Sequence, residues 1–318
     1  MGPRRRILFI AAAIALAVTA TFVMLFAADV YVRHKYPLVN RNGYAGPVAG
    51  SKQPGEYRVV VLGGSTVFGY GYSPDWTKAF PAHLGRDLGP PYRVINLGFN
   101  NTGAYSMGRA LVQYEYLKPD LAIMYEGYND LGVNTFDMRE QSFLFRWTGY
   151  YPLLPIIVSE KAKAWRYGDA RSGYLGKVMF KPSLLKRTGA ATLEMAEQVS
   201  KALDRVGRPD ATHPTENIIG AYLLHVSRAI REAQRQHIDV LVVGQPRLNI
   251  DHEQQQAALQ KMLREQFPSV PYVSLAHTID VKDHSIAWDG MHLTDEGNER
   301  IAQALVPIVR QRRALSLH

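Results

Sequence analysis

Two polar residues near the C-terminus are spaced for mutual pairing. Asp289 and His292 stand three apart in Trp288-Asp289-Gly290-Met291-His292-Leu293-Thr294, and a turn between them would set the carboxylate on the imidazole. An acid so placed fixes the ring tautomer and stabilises the imidazolium formed on proton uptake. A base of this kind needs a proton to take. Far upstream, Ser65 ends the stretch Tyr57-Arg58-Val59-Val60-Val61-Leu62-Gly63-Gly64-Ser65. A serine hydroxyl is a poor nucleophile at neutral pH and needs a base within hydrogen-bond reach. Its attack on an acyl carbon creates an oxyanion, which needs donors. The backbone amides of Ser65 and Gly98 (in Asn96-Leu97-Gly98) and the side-chain amide of Asn129 (in Gly127-Tyr128-Asn129-Asp130) are candidates.

Taken singly, each residue has a plain structural role. Ser65 suits a helix N-cap, Gly98 a tight turn, and Asn129 and Asp130 a turn. Thr294, Asp295 and Glu296 suit the start of a helix. What joins them is the elements that precede them. Short apolar runs at 57–65, 92–98, 120–127 and 238–244, with a weaker one at 271–275, predict five strands. Helical segments are expected at about 76–88, 105–117, 216–236, 252–266 and 294–312. In the third of these Ile218, Tyr222, Val226, Ile230 and Ala233 form one apolar face. Strands that are apolar throughout and alternate with helices predict an α/β fold, a parallel sheet covered on both faces. Such a sheet gathers the loops at its carboxyl edge, where ligands bind.

The domain expected at 57–318 carries an insertion over the site at about 132–215. It includes a further helix at 190–206, the apolar run Tyr150-Tyr151-Pro152-Leu153-Leu154-Pro155-Ile156-Ile157-Val158, and a basic stretch. Between 161 and 187 eight Lys or Arg face one acid, Asp169. Trp147, Trp165, Tyr150 and Tyr151 could stack on sugar rings, and the apolar run could accept an acyl chain. The basic stretch is either a solvated face or a contact for anionic headgroups or an acidic glycan. Residues 29–56, with three prolines and four glycines and no helical period, read as a stalk.

The N-terminus, 1–28, reads as a cytoplasmic tip and a membrane anchor. Arg4-Arg5-Arg6 precede Ile7–Ala28, which holds no charge. Twenty-two helical residues span roughly 33 Å, enough for a bilayer core. A cleaved signal peptide is the competing reading, but Leu25-Phe26-Ala27-Ala28-Asp29 offers no convincing cleavage site. The arginines place the tip in the cytoplasm and the domain on the periplasmic side of the inner membrane, although Arg33 and Lys35 weaken the asymmetry.

Composition removes other chemistries. The 318-residue chain has no cysteine, which excludes disulfides, thiolate nucleophiles and Cys-ligated metal. The net charge is +9, but it is spread along the chain without a nucleic-acid-binding motif, and no nucleic-acid partner is expected. Gly64 and Gly69 have P-loop spacing, yet Tyr70 stands where the phosphate-binding lysine is needed. No G-x-G-x-x-G follows a strand, and His252-Glu253 lacks the second histidine of a zinc-protease helix.

The Ser, Gly, Asn, His order in these four contexts resembles the SGNH (GDSL-type) hydrolase superfamily over about 57–312. Gly127-x-Asn129-Asp130 and Asp289-x-x-His292 match in full. Asn96-x-Gly98 matches, with Asn101 where a second glycine is frequent. The first block departs: Gly63-Gly64-Ser65 stands where the family has Gly-Asp-Ser. The resemblance implies a three-layer α/β/α flavodoxin-like fold and metal-free, cofactor-free ester hydrolysis. It implies Ser65 as nucleophile, His292 as base and then acid, Asp289 as its orienting acid, and Ser65, Gly98 and Asn129 as the oxyanion hole. The expected substrate is an O-acylated, favoured O-acetylated, envelope polysaccharide. A lysophospholipid or other acyl lipid, acyl transfer on the same triad, and a non-catalytic glycan-binding protein are the alternatives.

Overall fold

The computed structural model describes residues 2–35, 39–70, 75–100, 102–131, 143–148, 150–155, 157, 158, 162 and 218–316. Most of the expected insertion, with its helix at 190–206 and its basic stretch, lies outside the described residues. So does Trp165.

The chain opens with a long helix, α1 (Pro3–Lys35), whose apolar side chains from Ile7 to Phe26 are exposed along its length. It is long and apolar enough to cross a membrane. The domain then alternates strand and helix. β1 (Tyr57–Gly63) leads into the single turn α2 (Ser65–Phe68), then α3 (Phe80–Leu88), β2 (Tyr92–Asn96), α4 (Tyr105–Gln113) and β3 (Leu121–Tyr125). After α5 (Phe143–Thr148) come α6 (Ile218–Arg235), β4 (Asp239–Gly244), α7 (Ile250–Gln266), β5 (Tyr272–Ser274) and α8 (Asp295–Ser316).

All five strands are parallel, in the order β2-β1-β3-β4-β5. Their side chains alternate between two cores, as the two-residue period of a strand dictates. Val60, Leu62, Ala122, Met124, Val240 and Val242 pack with α4, α6 and α7. Val59, Val61, Leu121, Ile123, Leu241 and Val243 pack on the other face, with α3 and α8. Strands buried on both faces leave no polar side to alternate, which is why β1, β3 and β4 read as nearly continuous apolar runs.

Two expectations change. The helix expected at about 76–88 is split: a short 3₁₀ turn at Trp76–Lys78 ends at Ala79, which is extended, and α3 begins at Phe80 with Pro81 in its first turn. The stalk at 29–56 is not a free tether. α1 continues through Lys35, and the residues after it pack on the domain: Val39, Tyr44, Ala45 and Ala49 are buried. Ala45 bridges antiparallel to Asn96, and Tyr44 Oη accepts from Ala49 N–H at 2.7 Å. The glycines and prolines there shape a fitted segment with no repeat of its own.

Candidate active site

β1 and its neighbour β3 end level with each other, with Gly63 paired to Tyr125. Ser65 therefore emerges beside the loop that starts at Glu126. Ser65 is the first residue of α2, and no described group accepts from its N–H outside the helix. The first amides of a helix have no intrahelical partner. Gly98 lets the β2 loop close on this turn. A Cβ there would lie 2.6 Å from Val67 Cβ and 2.8 Å from the Phe68 backbone nitrogen. Asn96 reinforces the approach, donating from Nδ2 to Val67 O at 2.8 Å.

Residues 289–292 form the turn expected of them. Gly290 takes φ +84°, a left-handed conformation that suits glycine. Asp289 Oδ1 accepts from Met291 N–H at 3.0 Å and His292 N–H at 2.7 Å. Its Oδ2 lies 2.6 Å from His292 Nδ1, and His292 Nε2 lies 2.7 Å from Ser65 Oγ. The three side chains thus form one chain of contacts across 227 residues of sequence. His292 is 1% exposed and Ser65 8%. Trp288 stacks on the imidazole at 5.4 Å, with Tyr70 on it at 5.1 Å. Burial pushes the Asp289 carboxyl up, but the bonds and charge of His292 and the Met291 amide outweigh it and hold the pKa below the usual carboxylate range. With Nδ1 protonated against an ionised Asp289, this arrangement can leave Nε2 to accept the Ser65 proton.

The donors are brought near but are not all free. Asn129 Nδ2 lies 2.4 Å from where a Cβ on Gly64 would stand and donates one proton to Thr102 O at 2.7 Å; its second N–H remains for another acceptor. Gly98 N–H donates to Asn96 Oδ1 at 2.9 Å. Sequence reasoning treated Asn96 only as part of a motif. An Asn two residues before an amide is the signal for this turn.

Of the other polar residues near the strand ends, Asp130 and Thr294 were singled out from the sequence and Glu126 was not. Asp130 accepts from Ala104 N–H at 3.1 and 3.2 Å, one bond to each carboxyl oxygen, and burial pushes its pKa up to about 7. Glu126, directly after β3, is 4% exposed, and burial and then the charge of Asp130 push its pKa far up. Thr294 Oγ1 accepts from Gly297 N–H at 3.2 Å, so it caps α8.

A search of curated proteins finds no match. Among solved structures, similar chains include Est24, a carbohydrate acetylesterase from Sinorhizobium meliloti, at 13% identity and a TM-score of 0.46, covering 80% of this chain and 99% of that one. An aryl esterase from M. smegmatis has 15% identity and a TM-score of 0.45, with 80% and 99% covered. A GDSL-like lipase from Bacteroides thetaiotaomicron has 12% identity and a TM-score of 0.46, with 83% and 93% covered. The model of the GDSL-like lipase/acylhydrolase family matches residues 61–300. That span runs from within β1 into α8 and takes in Ser65, Gly98, Asn129, Asp289 and His292. The chain belongs to the GDSL-like lipase/acylhydrolase family and is a hydrolase acting on ester bonds.

Proposed function

We propose that Ser65, His292 and Asp289 are the catalytic triad of a serine esterase held at the membrane by α1. The unbroken run of contacts from Ser65 Oγ through the imidazole to Asp289 carries the proposal. His292 Nε2 takes the hydroxyl proton as Ser65 Oγ bonds to the acyl carbon, and the carbonyl oxygen becomes an oxyanion. The Ser65 N–H and the second N–H of Asn129 face that charge; Gly98 N–H contributes only by sharing its bond with Asn96. His292 then returns the proton to the departing alcohol, leaving an acyl ester on Ser65. Water, deprotonated by Nε2, cleaves that ester, and the proton passes back to Ser65 as the acid departs. No step needs a metal or cofactor.

Arg4-Arg5-Arg6 support a domain on the periplasmic side of the inner membrane. The substrate is an O-acyl, favoured O-acetyl, group of an envelope polysaccharide, supported by the net charge of +9 and by Trp147, 80% exposed on α5. One observation favours an acyl lipid as the second reading. Val32, near the end of α1, is buried in one apolar cluster with Phe68 and Phe99, which adjoin the nucleophile turn and Gly98. That packing supports catalytic loops close to the membrane surface.

The test uses the full chain in detergent, with p-nitrophenyl acetate, a longer-chain ester and native polysaccharide, beside Ser65→Ala. Wild-type turnover of acetate, release of free acetate from polysaccharide and an inactive Ser65→Ala are expected. Activity on the longer ester alone selects lipid, and acetate appearing on an added sugar selects transfer. Equal inertness of both proteins would sink the esterase.

A further inference from the structure

The nucleophile lacks the acid that the family places before it, and the structure puts a different acid beside the gap. At Gly64 a Cβ would lie 2.4 Å from Asn129 Nδ2, 3.0 Å from Glu126 Oε2 and 3.1 Å from Thr102 O. The space an aspartate would enter is already filled by the β2 and β3 loops. Glu126 supplies a carboxyl to it from the end of the adjacent strand.

This carboxyl is buried, and among the described residues no cation is recorded acting on it. Gly127 N–H donates to Oε1 at 3.1 Å, and the amides of Gly64 and Asn129 bear on the same group. Oε2 closes no hydrogen bond among the described residues. Among the described residues, the titratable groups that act on it are acids or phenols: Asp130, Tyr125 and Tyr222. Tyr222, from α6, donates to the Glu126 carbonyl at 3.0 Å. A buried acid without a cationic partner is costly, and an amide or apolar side chain would pack there at less cost. Its position, touching the residue before the nucleophile and the loop of an oxyanion donor, gives the carboxyl a use.

We propose that Glu126 is a positioning residue that replaces, from β3, the acid missing at position 64. It draws the Gly64 amide and the Gly127–Asn129 loop to one point, so that the Ser65 N–H and the Asn129 side chain converge on the same oxyanion. The inference rests on the roles proposed above for Ser65 and Asn129.

The test compares full-length Glu126→Gln, Glu126→Asp, Gly64→Asp and the double variant Gly64→Asp/Glu126→Ala, by kcat and KM on p-nitrophenyl acetate across pH and by thermal melting. Glu126→Gln should lower kcat at least tenfold with KM within twofold, and Glu126→Asp should recover part of the loss. In wild type, kcat should fall at high pH as the buried carboxyl ionises beside Asp130; that limb should be absent in Glu126→Gln. Gly64→Asp alone should be nearly inactive, and adding Glu126→Ala should restore at least tenfold. Wild-type kcat in Glu126→Gln, or a double variant no better than Gly64→Asp, overturns the inference. Melting of Glu126→Gln and Glu126→Asp near ambient temperature also overturns it, by making the residue merely structural. An active Ser65→Ala would instead strike the triad itself, and an inactive one with indifferent Glu126 variants strikes only Glu126.

Discussion

Asp289 does two things in one turn. Its Oδ1 closes the 289–292 loop through two amides, and its Oδ2 orients His292. Asp289→Asn keeps the turn bonds but offers Nδ1 an amide, and favours the wrong imidazole tautomer. It should lower kcat by about 10⁴-fold while leaving KM and melting temperature nearly unchanged. Steady-state kinetics beside a melting curve check this. Asp130 gives a pH effect of known sign. Its folded pKa, about 7, lies above the unfolded value near 4, so the folded state holds the proton more tightly. Stability then falls as pH rises through that window and is lowest above it. Urea denaturation at pH 5 and pH 8 should show wild type weaker at pH 8, with a smaller difference in Asp130→Asn. The meeting of Ser65, His292 and Asp289 was legible because their spacing and types match a known division of labour. The Asn96 bond to Gly98 and the burial of Glu126 were not, because both depend on which loops meet.

The elements explain why distant residues meet. Five parallel strands deliver their following loops to one edge, and β1, β3 and β4 were legible from residues apolar on both faces. The turn α2 could not be read as a helix, because four residues carry no period. Its contact with the β2 loop is close. A methyl at Gly98 would meet Val67 and the Phe68 nitrogen at 2.6 and 2.8 Å, and neither backbone can yield without moving Ser65. Gly98→Ala should destabilise the fold by about 1–3 kcal/mol and lower kcat at least tenfold. Chemical denaturation and kinetics on the same preparation check both; an unmoved kcat would place the two loops further apart than they stand here.

Across the whole molecule, the base of α1 is fastened to the domain. Asp29, 4% exposed, accepts from Tyr150 O–H at 2.5 Å and Leu154 N–H at 2.6 Å. Arg33 donates to Asn40 O at 3.0 Å, Val39 O at 3.2 Å and Tyr151 O, and Tyr151 packs edge-on against Phe99 at 5.4 Å. Composition predicted an anchor, a stalk and a domain. It missed this joint because Asp29 and Arg33 meet Tyr150, Tyr151 and Leu154 more than a hundred residues away, with no local pattern. Asp29→Ala leaves Tyr150 and the Leu154 amide without their acceptor and should free the domain from its seat. Activity on a water-soluble ester should stay within twofold of wild type. Activity on an ester embedded in vesicles carrying the full chain should fall at least fivefold if the substrate is a membrane lipid, and stay level if it is a polysaccharide.

The central claim is a covalent acyl-enzyme on one hydroxyl. The full chain is treated with a fluorophosphonate ester, digested and analysed by mass spectrometry, beside Ser65→Ala and His292→Ala. One adduct on the peptide holding Ser65, absent in Ser65→Ala and strongly slowed in His292→Ala, is the result predicted. Ester hydrolysis that continues with Ser65 unmodified, or an adduct on another residue that abolishes activity, would contradict it.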